Sequence, residues 1–574
     1  MAESTAIARP QRWDRPFGPD MTDLDVERVL EQPLFRDIDA SQFPASLPLR
    51  EIVRNDARVR RYARGDVIVR EGDYGNSMFV IIDGRVQVVT DGTDDAELGR
   101  RIRKRPRTLL QALRQLWANA DQPEVRDVAG YFQRLNDLDL RGEADDARIQ
   151  LRDVDAFIDR HETVALDEGT AFGEIAALAR SSRTATAVAE SDVDVVELRW
   201  QGLRDIRRRD AGFRDHIDGL YRERSLAQHL REAPLFAHLD DDVLDEIARH
   251  TAFESHGTGE WFRDFKRVKG EADPTPTTVL EQEPVIAEQG HYLDGLIMIR
   301  FGFARISERL DHGQRTTGYA GQSDVFGLAE IAHCWREGGE PSFARSLRAI
   351  GTVDILRVPT YLVEQYVLPN VPARLLPDPP AADVTPAGLE QCTDLGLPQS
   401  LVDFFVDERT INGRATMLID TDRCTACDEC VRACAEAHNN NPRFKRHGPI
   451  HDGVQVTNAC MHCADPVCLI GCPTGAIHRH ESGPVVIDDA TCIGCGTCAN
   501  ACPYDNISMV EIRDADGEFI VDDQSGQPIM KATKCDLCHD QLGGPACERA
   551  CPHDALIRID MHDHFRLAEW VNRK

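Results

Sequence analysis

The sequence predicts a multidomain α+β chain: two β-rich units in tandem, followed by a compact cysteine-rich module. Three observations predict it. The chain has 574 residues, and at roughly 100–200 residues per domain that length divides into several domains. Short apolar runs separated by glycine turns occur twice, in the same order, before residue 370. Of the 18 cysteines, 16 fall between Cys424 and Cys551.

Composition sets the outer bounds. Hydrophobic residues make up 42% of the chain, enough for several cores and too many for wholesale disorder. Lys and Arg number 67 against 97 Asp and Glu, a formal charge of -30. That balance argues against gripping nucleic-acid phosphates or docking on an anionic membrane, and favours basic partner surfaces. No apolar run reaches the roughly 18 residues of a membrane-spanning helix. The first twenty residues hold neither the apolar stretch of a secretory leader nor an Arg-Arg pair. A cytoplasmic location is therefore expected, where clustered cysteines point to metal rather than disulfides.

Residues 1–45 are polar and Pro-rich, and read as a flexible N-terminal arm. The first β-rich unit spans 46–232, with apolar runs at Val67–Val69, Met78–Ile82, Val86–Val89, Glu162–Leu166 and Val193–Leu198. A polar, helix-patterned insertion interrupts it at about 91–160 and carries a basic run from Arg100 to Arg107. That run reads as a solvated face, or else as a docking patch for an acidic surface. Residues 201–231 read as an Arg-rich helix. The second unit, 233–368, repeats the order with a helix at Asp241–His250 and strands around Pro284–Ile306 and Arg348–Val358. Seven prolines between Pro369 and Pro398 mark a linker, 369–410.

The module 411–574 contains four groups of four cysteines. Cys424, Cys427, Cys430 and Cys434 are spaced C-x2-C-x2-C-x3-C, and Cys492, Cys495, Cys498 and Cys502 repeat that spacing with a proline after it. Cys460, Cys463, Cys468 and Cys472 have x4 in the middle, and Cys535, Cys538, Cys547 and Cys551 have x8. Three thiolates on a tight loop can each reach a different iron of one cuboidal cluster, while the fourth opens the next turn and ligates a neighbouring cluster. Sixteen thiolates at four per cluster make four [4Fe–4S] clusters. Zinc would use two separated C-x2-C pairs per site, which leaves the third cysteine and the C-P ending without purpose. Cys535-Asp536-Leu537-Cys538-His539 also matches a c-type haem attachment motif, but that use would strand Cys547 and Cys551. Short strands at Met417–Ile419 and Val485–Ile487 give the strand–loop–helix–strand order of a ferredoxin fold, used twice.

On Cys424 to Cys434, Cys460 to Cys468 and Lys534-Cys535-Asp536-Leu537-Cys538, the module resembles the iron–sulfur subunit of the dimethyl sulfoxide reductase, polysulfide reductase and formate dehydrogenase families. The resemblance implies electron transfer and a crosswise ligand set. Cys424, Cys427 and Cys430 would pair with Cys551, and Cys535, Cys538 and Cys547 with Cys434. Cys460, Cys463 and Cys468 would pair with Cys502, and Cys492, Cys495 and Cys498 with Cys472. It further implies a partner oxidoreductase subunit, of molybdopterin or flavin type, since this chain shows no dinucleotide fingerprint of its own.

The first β-rich unit runs Gly65-Asp66-Val67 to Asp73, then Met78 to Val86 through Gly84, then Phe172-Gly173-Glu174-Ile175 and Arg183-Thr184-Ala185. It resembles a cyclic-nucleotide-binding domain, a jelly-roll β-roll. The resemblance implies cAMP or cGMP as ligand, with Gly84, Gly173, Glu174, Ile175, Arg183 and Thr184 as the binding positions. Backbone N–H groups after Phe172 can hold a phosphate, Arg183 can fork two bonds to it, and Glu174 can accept a ribose hydroxyl. The second β-roll departs from the pattern: Leu328 follows Phe326-Gly327, and Phe343 takes the place of Arg183. It reads as structural. The place of a DNA-reading module is taken by the second roll and the ferredoxin module, so no nucleic acid is expected. The leading reading is an electron-transfer protein docked or regulated by its β-rolls. The competing one is a redox or oxygen sensor whose clusters act on those rolls.

Overall fold

The computed structural model describes residues 6–14, 16–89, 122–126, 149–151, 153–179, 182–257, 265–267, 283–310, 313–321, 324–372, 376, 397–541 and 543–573. Most of the insertion, its basic run and Cys392 lie outside the described residues. The chain divides into two compact units. One joins Met1–Ile217 with Gly413–Asp560, and the other joins Asp218–Asn412 with Met561–Lys574.

In the first unit the segment read as a flexible arm is folded. Helix α1 (Asp23–Leu30) opens on a Thr22/Asp25 capping box and buries Val26 and Val29. It packs on α2 (Leu49–Asp56), which buries Leu49, Ile52 and Val53. The arm is polar in bulk, but its few apolar residues recur at helical spacing and so find a core. Nearer the start, Ala6–Ile7 pairs in parallel with Val521–Asp522.

Two four-stranded antiparallel sheets follow. The first has the order β1 (Ala57–Tyr62), β8 (Val193–Arg199), β3 (Ser77–Asp83), β6 (Ala171–Phe172). The second has the order β2 (Val67–Val69), β7 (Thr186–Ala189), β4 (Val86–Val89), β5 (Thr163–Leu166). Tyr62, Phe79, Ile81, Val86, Phe172, Ala187 and Val195 fill the space between them. The short helix α3 (Glu174–Ala179) follows β6. The Arg-rich segment is two helices, α4 (Trp200–Arg207) and α5 (Ala211–Glu232), broken at Arg208–Asp210.

In the second unit, α6 (Asp241–His250) precedes a single six-stranded sheet: β9 (Ala252–His256), β14 (Ser346–Pro359), β11 (Gly295–Leu310) and β12 (Gly313–Ala320), with β10 (Val285–Ala287) on β14 and β13 (Val325–Phe326) on β11. Strands β11 and β14 are long because the chain bends instead of breaking. Their register shifts between Ile299 and Phe303, where Gly302 has φ +89°. Helix α7 (Leu328–Glu337) follows β13. The end of the expected linker also belongs here. Helix α8 (Gln399–Asp407) leads to Arg409, which joins Arg305 on Glu283 in a buried network. Tyr319 donates to Asp403 of α8 at 3.0 Å and hydrogen-bonds Arg305 at 3.1 Å.

The ferredoxin module completes the first unit. Strand β15 (Thr416–Asp420) lies between β16 (Val454–Val456) and β21 (Leu556–Ile559). Two hairpins stand beside it: β17 (Ile477–Arg479) with β18 (Val485–Ile487), and β19 (Ser508–Glu511) with β20 (Met530–Thr533). Three short helices, α9 (Glu429–Ala437), α10 (Thr497–Ala501) and α11 (Ala546–Arg549), begin among the cysteines. Part of the insertion is anchored here too: Arg126 N–H donates to Arg513 and its guanidinium pairs with Asp489 at 2.7 Å. Residues 561–574, read as the end of the module, group with the second unit, where His562 packs on Phe303 with ring centroids 5.4 Å apart.

Candidate functional site

The pairing of β15 with β21, Leu418 opposite Ile557, brings the first cysteine group beside the last. Cys424, Cys427 and Cys430 line one small cavity with Cys551. Cys492, Cys495 and Cys498 line another with Cys472. Cys460 and Cys502 lie close enough to Cys463 and Cys468 to push both thiols, already raised by burial, well above the ordinary range. Cys434 and Cys538 do the same to Cys547, which burial foremost drives to about 12. The structure thus gathers four quartets, each three cysteines of one loop and one from a distant group. None of the described cysteines is in a disulfide.

The loops are wound tightly. Ala426 and Asp428 have φ of 59° and 62°, and Gly494 and Gly496 occupy the matching places of the third group at 66° and 74°. Left-handed backbone at two of the four non-cysteine positions between the first and third cysteine curls each loop tightly, a conformation that turns successive N–H groups toward an anion. In the first group non-glycine residues accept that strain. Backbone N–H groups also reach sulfur: Arg443 donates to Cys434 at 3.2 Å and Ala555 to Cys551 at 3.3 Å. Four thiols in so dry a space cannot all ionise alone, and a polynuclear iron cation resolves the conflict. The donor set therefore fits [4Fe–4S] groups.

Buried cations line the same region, and the sequence did not announce most of them. Arg558 donates to Cys535 Sγ at 3.1 Å and to the Cys460 carbonyl at 3.1 Å, so it bridges two quartets. Lys534 donates to the carbonyls of Cys535 and Val485, Lys531 to those of Cys492 and Asp489, and Arg479 to that of Cys463. Only Lys534 belongs to a cysteine motif; an arginine on the inward side of the apolar Leu-Ile-Arg-Ile strand was the one readable signal for Arg558. His462 accepts from the Val485 N–H at 2.9 Å, and burial beside Lys534 and Arg558 holds it neutral, well below its usual range. His539 of the haem-like motif is exposed and rests on His480, ring centroids 5.3 Å apart.

The second candidate site is a cavity of about 390 Å³ in the first roll. Arg58, Arg60, Arg70, Arg183 and Arg199 line it, against Asp73, Glu197 and Glu481. Arg183 is buried and donates to the Gly173 carbonyl at 2.6 Å; burial pulls its guanidinium down to about 10, with Glu197 and Glu174 among the carboxylates opposing the fall. A side chain at Gly75 would meet that guanidinium at 2.1 Å, so only glycine lets the loop close over it. The structure thus joins Arg183, Gly173 and the buried Glu174. Of these positions only Arg183 lines the cavity; Gly173, Glu174, Ile175 and Thr184 do not. Gly84 is corrected: it sits at the β3–β4 turn beside a separate opening, with φ +92° and its missing side chain facing the Asp192 carbonyl. Gly302 repeats that conformation in the second roll, so Gly84 serves the bend. Tyr74, Gly75, Asn76 and Arg199 are cavity residues that the motif reading missed.

Among the described residues, the second roll has no cation at the place of Arg183. Arg183 exchanges backbone hydrogen bonds with Gly72 and Asp73, and Phe343 does so with Gly290 and His291. Phe343 therefore stands where Arg183 does, buried and stacked on Phe326. Leu328 follows left-handed Gly327 as Glu174 follows Gly173. Cys334 is half-buried on α7.

The crosswise gathering makes a specific prediction. Cys434→Ala should remove the iron site of Cys535, Cys538 and Cys547, a loss of about four irons per chain, while spectroscopy shows the inner quartets intact. Loss confined to the Cys424–Cys430 site would contradict the arrangement.

Comparison with known proteins follows the same division. The family profile of the 4Fe-4S dicluster domain matches residues 459–506 and 491–555. That of the cyclic nucleotide-binding domain matches residues 59–104. The electron transport protein HydN of Escherichia coli strain K12 is 36% identical over 171 residues, covering 28% of this chain and 95% of that protein. The B subunit of the anaerobic dimethyl sulfoxide reductase of the same strain is 34% identical over 158 residues, 24% of this chain and 69% of that protein. The regulatory domain of Toxoplasma gondii PKA aligns over 60% of this chain and 93% of its own at 13% identity and a TM-score of 0.19. Through its cysteine-rich module the chain belongs to the iron–sulfur electron-transport family of HydN, and it carries a tandem of cyclic-nucleotide-binding-type rolls ahead of that module.

Proposed function

We propose that this protein relays electrons through four [4Fe–4S] clusters to or from a partner oxidoreductase subunit in the cytoplasm, and that a cyclic nucleotide in the first roll regulates or docks that relay. The observation that carries the reading is the crosswise assembly of four cysteine quartets in one small module. In this reading Cys424, Cys427, Cys430 and Cys551 hold one cluster, and Cys434, Cys535, Cys538 and Cys547 the next. Cys460, Cys463, Cys468 and Cys502 hold a third, and Cys472, Cys492, Cys495 and Cys498 a fourth. When bound, the clusters supply one-electron couples close enough for successive hops. The chain's own residues set the conditions. Apolar packing around Ile477, Val485 and Ile507 keeps water out, and Arg558, Arg479, Lys531 and Lys534 offset the negative charge of each added electron. The exposed Cys427 and Cys495 mark where electrons enter or leave. Among the described residues no helix is long and apolar enough to cross a membrane. The similarity to a subunit of a dimethyl sulfoxide reductase supports an oxidoreductase partner; the family resemblance of the cysteine motifs implies a molybdopterin or flavin type.

Anaerobic purification from the native cell should bring down a redox subunit that reoxidises the dithionite-reduced clusters. Reduced clusters that no co-purifying protein reoxidises would contradict the relay. At the first roll, Arg183 is the buried cation placed for a cyclic phosphate. Removing one partner of such a charge pair costs about 2–5 kcal/mol, or about 30- to 4,000-fold in affinity. In calorimetry of the full chain, Arg183→Ala should abolish cAMP or cGMP binding at micromolar ligand, Glu174→Ala should weaken it less, and Arg345→Ala in the second roll should leave it unchanged. Absence of heat with the unsubstituted protein would reduce the tandem to a scaffold.

A further inference from the structure

The wall of the first-roll cavity is also part of the cradle around the inner cysteine quartets. Asn76 lines the cavity, and its side chain donates to the Arg479 carbonyl at 2.8 Å. Tyr74 lines it as well, with the Arg479 guanidinium 4.9 Å from its ring centroid. Arg479 is 3% exposed and turns its donors to Gly483 at 2.9 Å, to Ala464 at 3.2 Å and to the carbonyl of Cys463. A second thread starts from Arg199, another cavity residue, which donates to the Thr474 carbonyl at 3.3 Å. The Thr474 hydroxyl lies 3.7 Å from Cys472 Sγ. Glu481, at the tip of the β17–β18 hairpin, itself enters the cavity lining. Each inner quartet thus has one ligand loop tied by a chain of direct contacts to a residue that faces the cavity.

We propose that occupancy of this cavity and the redox state of the two inner clusters are coupled, through Tyr74, Asn76 and Arg479 to Cys463 and through Arg199 and Thr474 to Cys472. The proposal rests on the cavity being the nucleotide site. Its sign follows from charge. Five arginines against three carboxylates suit the cavity to an anion. An electron added to an inner cluster brings negative charge toward Arg479, which touches the cavity residues Tyr74 and Asn76, and toward Arg199, which lines the cavity and donates to Thr474, so reduction and anion binding oppose one another. Coupling is reciprocal: a ligand that lowers the inner potentials binds the oxidised protein more tightly, by the same factor.

The test is anaerobic calorimetry of the full chain with cAMP and with cGMP, oxidised and after electrochemical reduction. The reduced protein should bind at least about threefold more weakly, which is about 28 mV for a one-electron couple at 59 mV per tenfold, and redox titration followed by electron paramagnetic resonance should show that shift in the inner clusters. Arg479→Lys, checked for full iron content, should collapse the difference between the redox states. Equal affinity in both states overturns the coupling and leaves nucleotide binding standing. Should neither nucleotide bind, the nucleotide reading fails, and hydrogen exchange of the ligand-free protein decides the coupling by itself. A change in protection at residues 72–76 on reduction supports it, and an unchanged loop overturns it.

Discussion

Sixteen thiol sulfurs crowded into a module of some 150 residues repel one another once ionised, and a set of buried cations in the first unit answers that repulsion. Most of these cysteines are buried, and burial pushes Cys430 to about 11 and Cys498 to about 12. Iron held within a quartet would neutralise its thiolates. The negative charge left on such a centre would face four buried cations, Arg479, Lys531, Lys534 and Arg558, from the surrounding strands. Arg558 is the clearest case. It is buried, it donates directly to Cys535 Sγ, and with the same guanidinium it holds the loop of Cys460. Without the thiolates it would be an uncompensated charge in a dry interior, a costly state. The cations and the cysteines therefore require one another.

This mutual requirement ties the module to the roll in front of it. Arg479 and Thr474 serve the inner quartets from one side and meet Tyr74, Asn76 and Arg199 on the other. Arg204 reaches the Ile470 carbonyl in the same stretch. The first roll is thus built as a wall of the redox module. The second roll is packed differently: it carries the buried Arg305–Glu283–Arg409 network, and Phe343 stands at the place of Arg183. One repeated architecture thus presents an arginine at this place in one copy and a phenylalanine in the other.

The strands Val67–Val69, Val86–Val89 and Val485–Ile487 and the helix Asp241–His250 were legible because alternation or helical spacing coincides there with turn residues at both ends. The sixteen clustered cysteines were legible from spacing alone, but their crosswise grouping was not; it came from resemblance, and the β15–β21 pairing is what brings it about. The folded N-terminal arm escaped because three or four buried apolar residues are diluted in a polar stretch. Gly84 was misassigned because a bend glycine and a ligand glycine look alike in sequence; only the Asp192 carbonyl facing it separates them. Arg479, Arg558 and Arg199 were silent because burial of a charge depends on partners far away along the chain.

The central claim is that all four quartets carry clusters of the same kind. Iron and acid-labile sulfide, measured per chain on anaerobically purified protein, test it most directly. The account predicts about sixteen of each. About eight of each, or about four zinc ions with no visible absorption, would contradict it.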